Sequence, residues 1–516
     1  MPSWLKDAVF YEIYPQSFND TNSDGIGDLQ GIIDKLDYVK SLGCNAIWLN
    51  PCFDSPFKDA GYDVRDYKKV APRYGTNDDL VRLFDEAHKR GMKILLDLIP
   101  GHTSEEHEWF KKSCEIERNE YSDRYVWTNG AFCGIGGHPY IGGEADRDGC
   151  YMLNFFKSQP ALNYGFLNRT EDWQKAPDDP ACIETREAMK DIMRFWLDKG
   201  CDGFRVDMAD SLVKEDDENK SATGKIWKNV REMLDKDYPE AAIVAEWCDP
   251  GQALLHGFHA DFYLDHWGNG YNTLIRDYET EGGDHSFIKK DSGGDIMRFL
   301  NDYLPRYERT KDKGFISFIT CNHDTPRPAR TLSNEELKLA YAMILTLPGV
   351  PFIYYGDEIG MRYLDVRTKE GGYHRTGSRT PMQWDNSESR GFSSASKDKF
   401  YLPVDNSSDA PTVEAQEKDP SSLLNEVRRL TALKHEQKDL QADASFEVIY
   451  AEKEKFPFVY RRGSLVIAVN PSGNECSVDI SAKANVTGGP VYAIGKAGCD
   501  NGKITMAAQS FAVFNS

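Results

Sequence analysis

Eight short, near-continuous apolar runs recur along most of the chain, each separated from the next by a stretch of helical character. They are AVFYEIYP (8–15), NAIWLNP (45–51), KILLDLIP (93–100), GFRVDM (203–208), AAIVAEW (241–247), DFYLD (261–265), FISFITCN (315–322) and PFIYYGDEIG (351–360). Unbroken hydrophobicity is what a parallel strand needs when helices cover both faces of its sheet. Ahead of three runs a helical stretch ends in glycine, at Gly43, Gly91 and Gly200. Glycine just past a helix predicts a left-handed cap that turns the chain back into the sheet. Strand and helix alternating eight times predict an α/β fold, the (β/α)8 TIM barrel.

Two features interrupt the repeat. Residues 103–170 lie between the third and fourth runs, far beyond a βα loop of roughly two to six residues. They are rich in glycine, aromatic and charged residues and read as a small inserted domain B. A second long loop (361–419) follows the eighth run, and the helix SSLLNEVRRLTALKHE (421–436) comes after it. The runs FEVIYAE, FPFVYRR, SLVIAVN, CSVDI, PVYAIG and SFAVFN then alternate with period two, as in an antiparallel β-sandwich. The expected organisation is a barrel from 1–102 and 171–437, the insertion at 103–170 and a C-terminal β domain at 438–516. A chain of 516 residues is too long for one core.

Net charge is −21 and spread along the chain, which argues against nucleic acid or anionic lipid as a partner. No apolar run is long enough to span a bilayer, so no membrane partner is expected. The start, MPSWLKDAVFYEIYP, lacks a basic n-region and an apolar h-region, so no signal peptide is expected. The eleven cysteines are odd in number and without a CxxC pair, which suits a reduced, cytoplasmic compartment.

In a barrel the reacting groups lie at the C-terminal ends of strands. Asp97, Asp207, Glu246 and Asp324 all fall there, in DLIP, GFRVDM, VAEW and CNHDTPR. A single carboxylate in such a place often only caps the next helix. Four together, with Arg205 and His323 close by, are harder to assign to capping. Paired carboxylates at one mouth suit acid/base and nucleophilic work on an acetal.

One further stretch, NDTNSDGIGD (19–28), has the spacing of an EF-hand loop. Counting from Asp20, oxygen ligands fall at positions 1, 3, 5 and 9 (Asp20, Asn22, Asp24, Asp28), with Gly25 at the sharp turn and the Ile26 carbonyl at position 7. Position 12, where a bidentate Glu would close the cage, is Gly31. A sensor, a static clip and an Asp-rich turn all remain open from spacing alone.

The words FYEIYPQSF, GDLQGI, GYDVRDY, DLIPGHTS, QPALNY, GFRVDM, AEW, NHDTPR, PGVPFIYYGDEIGM and RTPMQW occur in that order. Together they resemble the α-amylase superfamily of glycoside hydrolases (family 13), most closely its α-glucosidase and oligo-1,6-glucosidase branch. The resemblance covers nearly the whole chain. It implies a retaining, exo-acting α-glucosidase acting on short α-glucosides through a covalent glucosyl-enzyme. The same intermediate also serves transglycosylases and isomerases of sucrose or maltose. Some barrel relatives are non-enzymatic transporter subunits, but those carry a membrane span and often lack the catalytic carboxylates.

Carried over residue by residue, the resemblance implies Asp207 as nucleophile, Glu246 as acid/base and Asp324 as the third carboxylate. Arg205 would hold Asp207 ionised, and His102 and His323 would bind hydroxyls of the same sugar. Asp59 would pair with Arg379 to close the pocket, Tyr62 would offer its ring face, and Arg327 joins the substrate-binding set. Met208 would face the outer subsite, where relatives preferring α-1,6 bonds usually carry Val and those confined to α-1,4 bonds Ala or Thr. Methionine is neither, which suggests broad linkage specificity. Relatives bind calcium or magnesium at the loop after the first strand, which favours a structural Ca2+ or Mg2+ clip through Asp20, Asn22, Asp24, Ile26 and Asp28. The chain departs from the family words at Gly101, where Asn is usual, and at Ala161, where Asp is usual.

Overall fold

A computed structural model of the protein describes residues 1–264, 269–277, 283–367, 375–486 and 488–516. The eight apolar runs form one parallel sheet: β1 (Phe10–Ile13), β2 (Ala46–Leu49), β3 (Lys93–Leu98), β4 (Gly203–Val206), β5 (Ala242–Ala245), β6 (Ala260–Phe262), β7 (Phe315–Ser317) and β8 (Phe352–Tyr354). Neighbours pair in chain order from β1 to β7, and β8 pairs with β1. The ring closes through a parallel bridge between Ile319 and Phe352, whose amide donates to the Phe318 carbonyl at 2.8 Å. Closure leaves the sheet without a free edge. Each strand is shorter than its apolar run, because the flanking residues stay buried while leaving the sheet to build the rim. Asp265, the last residue of the sixth run, lies outside the described residues.

Every residue of β1, β2, β4 and β5 is buried, as expected for strands sheathed by helices. Large aromatics fill the barrel interior. Phe10 stacks on Phe352 with ring centroids 4.2 Å apart, Phe262 meets Phe352 edge-on at 4.8 Å, and Trp48 lies 5.3 Å from Phe262. The Trp48 indole then donates to Asp97 at 3.1 Å, so this apolar plug ends directly beneath the polar mouth.

Local signals start and stop the helices. Thr76 with Asp79, and Ser333 with Glu336, form reciprocal capping boxes on Asn77–Lys89 and Asn334–Thr346. Gly91 and Gly200 take φ of +76° and +106°. The amides of Met92 and Cys201 then donate back to the carbonyls of Ala87 and Trp196, the closing bond of a left-handed cap. Among the described residues no helix is long and apolar enough to cross a membrane.

Between β3 and the helix Pro180–Leu197, a small ladder pairs Tyr140–Gly142 with Cys150–Met152. It sits over a cluster of Val126, Ile135, Cys150, Met152, Ala161 and Phe166. Its return segment is stitched to the rim of β3, where the Leu162 amide donates to Gly101 at 3.0 Å. After the helix Leu423–Glu436 come β9 (Phe446–Tyr450), β10 (Phe458–Arg462), β11 (Leu465–Asn470), β12 (Cys476–Asp479), β13 (Tyr492–Ile494), β14 (Ala497–Asp500), β15 (Lys503–Met506) and β16 (Ser510–Asn515). They form antiparallel sheets in the orders β9-β10-β11-β16-β13 and β12-β15-β14. Val459, Val466, Ile504, Met506 and Phe514 are buried together in their own core. Arg462 ties this domain to the barrel by donating to the Thr346 carbonyl at 2.6 Å.

Candidate active site

The C-terminal rim of the barrel encloses a cavity of about 370 Å³, lined by Asp59, Tyr62, His102, Phe155, Asp207, Met208, Asp210, Glu246, Trp247, Cys248, Asp324 and Arg375. Its volume lies within the usual range for small-molecule sites. Asp207 and Glu246 follow β4 and β5 directly. Their amides still donate to the neighbouring strands, at the carbonyls of Leu98 and Val206, 2.9 Å in each case. Both carboxylates are thus mounted on the rigid sheet rather than on loose loops.

Arg205 organises the centre. Buried on β4, it bonds Asp97 at 2.8 Å, Asp207 at 3.1 Å and Glu246 at 2.7 Å. One guanidinium therefore spans both carboxylates, and its planar fork of donors suits that task. The Glu246 carboxylate also accepts the Met208 amide at 3.0 Å. Met208 has φ of +41°, and Cys248, two residues past Glu246, has φ of +67°. Left-handed backbone at a long side chain is costly and collects at functional sites. Burial, then the neighbouring Glu246 carboxylate, push Asp207 well above the usual carboxylate range against the pull of Arg205.

A second network lies beneath. Tyr62 donates to Asp97 at 3.0 Å, and its hydroxyl sits 2.6 Å from His323 Nε2. His323 Nδ1 donates to Glu12 on β1 at 2.9 Å, and Nε2 lies 3.1 Å from Asp324. Burial alone would lower the imidazole's pKa, but Asp324 and Glu12 lift it to about 9. His323 is therefore a cation at neutral pH. For Asp324, burial works upward, yet His323, Arg375 and Arg379 overcome it and hold the carboxyl well below its usual range. His102 behaves oppositely: burial lowers it to about 4, leaving it neutral.

Asp59, Asp324 and Arg375, all lining the cavity, are joined by charge pairs. Arg375 bonds Asp59 with one nitrogen and Asp324 with the other, the latter at 2.6 Å. Gln159 adds a bond to Asp59 at 2.8 Å. The arginine expected to pair with Asp59 was Arg379, and here the structure differs. Arg379 bonds Asp324 at 2.8 Å and the His323 carbonyl at 2.9 Å, and so braces the third carboxylate from behind. Two arginines four residues apart in HRTGSR offer the same charge, and only the fold decides which one reaches Asp59. Arg327 is likewise not brought to the cavity. It is fully buried, bonding Asp357 and the Tyr355 carbonyl at 2.8 Å each and the Ser378 carbonyl at 3.0 Å.

Asp59, Tyr62, His102, Asp207, Met208, Glu246 and Asp324 do line the cavity, with Arg205, His323 and Arg379 directly behind it. Sequence reasoning missed Arg375, Phe155, Asp210, Trp247 and Cys248. For Trp247 and Cys248 a signal existed: they follow Glu246 immediately and must sit on the same rim. Phe155 and Arg375 belong to irregular segments with no periodicity to read.

In the loop after β1, Asp20 accepts the amides of Asn22, Ser23 and Gly25 at 3.1, 2.8 and 2.8 Å. Asn22 and Asp24 accept the amides of Asp24 and Ile26 at 2.9 Å each. Asp28 caps the next helix through the Gly31 amide at 2.7 Å. Among the described residues no three or more His, Cys, Asp or Glu side chains are placed to hold a metal ion. In a loop of this spacing the ninth position often ligates through water, so only two carboxylates need touch the ion. The remaining ligands, the Asn22 oxygen and the Ile26 carbonyl, suit a hard cation, so the donor set fits one.

The alpha-amylase catalytic-domain family model matches residues 12–443. The oligo-1,6-glucosidase of Heyndrickxia coagulans is 33% identical over 93% of this chain and 94% of its own length. The trehalose synthase/amylase TreS of Mycolicibacterium smegmatis is 34% identical over 84% of this chain and 76% of its own. Among solved structures, the isomaltulose synthase of Erwinia rhapontici NX5 with D-glucose superposes with a TM-score of 0.79 at 25% identity, covering 100% of this chain and 99% of that one. A mutant of the trehalulose synthase MutB in complex with its substrate sucrose gives 0.82 at 25% identity, with 100% of both chains covered.

Proposed function

The chain belongs to the α-amylase family of glycoside hydrolases, and we propose that within it the protein is a retaining, exo-acting α-glucosidase of short α-glucosides such as maltose and isomaltose. The observation that carries this reading is the Arg375 tie between Asp59 and Asp324. Such a tie would close one end of the cavity, so that a single non-reducing-end glucose fits where an open cleft would take the middle of a chain.

In this reading an Asp207 oxygen attacks the anomeric carbon while Glu246 gives its proton to the glycosidic oxygen, and the C1–O bond to the leaving sugar breaks. The proton given to the leaving oxygen must reside on Glu246. A glycosidic oxygen accepting from Glu246 places it there. Asp324, ionised by His323 and the two arginines, binds hydroxyls of the ring as it flattens toward the oxocarbenium ion. Glu246 next takes a proton from water, the water oxygen bonds C1, and Asp207 departs. Two inversions leave the α configuration. A common guanidinium partner for both carboxylates suits the separation of about 5 Å that retention requires.

A second reading has a specific observation in its favour. Met208, Trp247, Cys248 and Phe155 give the cavity an apolar wall. Such a wall would favour a sugar acceptor over water and return an isomerised disaccharide, the activity named for the two solved relatives. Incubation with maltose, isomaltose, sucrose and trehalose separates the two. Free glucose appearing first as its α-anomer supports hydrolysis with retention. Isomeric disaccharide as main product favours the second reading, and β-glucose as first product overturns the assignment of Asp207.

For the Asp20–Asp28 loop we propose a structural calcium or magnesium ion held by Asp20, Asn22, Asp24 and the Ile26 carbonyl, with Asp28 behind a water. Its task would be to stiffen the first βα loop. All eleven cysteines are free thiols, which supports a reducing, cytoplasmic location.

A further inference from the structure

Gly101 stands just before His102, and its missing side chain has a structural counterpart. A Cβ placed on Gly101 would meet Asn154 Nδ2 at 3.0 Å. Asn154 belongs to the inserted segment, immediately after the strand Cys150–Met152 and Leu153. Its amide thus takes the space beside His102 that any larger residue at position 101 would fill.

The contacts of that amide are specific. Lys214 Nζ donates to Asn154 Oδ1 at 3.2 Å and to the Ser211 carbonyl at 2.5 Å. Asn154 Nδ2 lies 3.0 Å from His102 Nδ1 and 3.8 Å from Met208 Sδ. On its other side, His102 Nε2 is 3.1 Å from the Tyr62 carbonyl.

Donor and acceptor chemistry then fixes every polarity. An ammonium can only donate, so the amide oxygen of Asn154 must face Lys214 and the NH2 must face His102. Nδ1 of His102 must therefore accept, and its single proton sits on Nε2. That proton is what the Tyr62 carbonyl, an obligate acceptor, requires. The chain of bonds agrees from both ends. Burial lowers Lys214 to about 8, with Asp210 working upward and Lys220 downward, so the ammonium persists at neutral pH.

We propose that Asn154 is a positioning residue, oriented by Lys214, that locks His102 of the catalytic cavity in its neutral Nε2–H tautomer and holds the Met208 thioether against the cavity wall. The lock also anchors one foot of the turn that the Asn154 amide closes on the Gln159 carbonyl at 3.0 Å, with Phe155 next to that foot. The proposal rests on the glucosidase reading only in that turnover is one of its two readouts.

Asn154→Asp is the decisive variant. It is isosteric and keeps a partner for Lys214, but a carboxylate cannot donate to Nδ1. His102 must then carry a proton on Nδ1. The expected result is a fall in kcat/KM for maltose of at least about tenfold, with a melting temperature equal to or above that of the wild type. In 15N-histidine-labelled protein, with the His102 signals assigned through His102→Gln, the protonated nitrogen should move from Nε2 to Nδ1 or to both. If Asn154→Asp does not fold, Lys214→Met frees the amide to turn and should give two His102 tautomers. An unchanged His102 signal overturns the proposal whatever turnover does. A shifted signal with turnover within twofold of wild type overturns the claim that the tautomer matters. Should the wild type hydrolyse no α-glucoside, the glucosidase reading fails, while the NMR arm still decides the lock.

Discussion

The Met208 amide donates to the Glu246 carboxylate at 3.0 Å from a left-handed backbone, with φ of +41° at Met208. The residue after Asp207 thus holds Glu246, and its side chain still reaches the cavity wall. Met208→Val retains the amide group, at the cost of backbone strain from a β-branched residue at positive φ, and shortens and stiffens the side chain. We expect the kcat/KM ratio for isomaltose over maltose to rise by a few fold, within the roughly 10- to 200-fold that one such contact can contribute. An unmoved ratio would show that Met208 does not read linkage.

Asp207→Asn should leave the fold intact, with an equal or higher melting temperature, since it replaces a buried carboxyl group that burial and Glu246 both disfavour in its charged form. Turnover should fall by at least about 10³-fold. Glu246→Gln should cost about 10²- to 10⁴-fold on maltose. The loss should be much smaller on a p-nitrophenyl glucoside, whose leaving group needs no proton. Equal losses on both substrates would deny Glu246 the role of acid.

Arg375→Lys keeps the charge but not the fork. One ammonium cannot span Asp59 and Asp324 as two guanidinium nitrogens do. We expect kcat/KM for disaccharides to fall at least about tenfold, with activity shifting toward longer chains as the closed end opens. Arg379→Lys should affect turnover without that shift in chain length. Identical chain-length profiles for both variants would remove Arg375 from the closing role.

The two cavity histidines make opposite contributions to stability against pH. His323 is raised to about 9 from an ordinary 6.5, so its stabilisation is fully present below about pH 6.5 and lost as pH rises through about 9. His102 is lowered to about 4, so its contribution is present above about pH 6.5 and lost as pH falls toward 4. Calorimetry of His323→Gln should therefore show a deficit against wild type that shrinks between about pH 6.5 and 9.5. A constant deficit across that window would mean that the His323 cation is not held by Asp324 and Glu12.

An ion bound only by the folded state adds about 2.7 kcal/mol at a hundredfold excess over its dissociation constant. Calcium should raise the melting temperature by several degrees, EDTA should reverse it, and Asp24→Ala should abolish the response. Wild type indifferent to calcium, magnesium and chelator alike would leave the loop a self-bonded turn.

The barrel was legible because strands buried on both faces tolerate almost no polar residues, so eight apolar runs marked eight strands. Their ends were not. Tyr14 and Tyr355 are buried yet outside the sheet, and hydrophobicity cannot distinguish a strand from a buried rim. The carboxylates were legible because each ends a strand in a distinctive word. The exchange of Arg375 for Arg379 was not, since sequence carries charge and order but not reach. Asn154 was beyond sequence as well: its importance appears only once the fold sets it against Gly101, fifty-three positions earlier in the sequence.

The bonds that finish the cavity join distant parts of the polypeptide. Glu12 and His323 lie 311 residues apart, and Asp59 and Arg375 lie 316 apart. A ribosome must therefore release most of the barrel before either wall of the pocket exists, and no nascent fragment ending before Arg375 can assemble it. Catalysis arrives late and all at once, which makes sugar release from a translation mixture a direct clock for completion of the native ring.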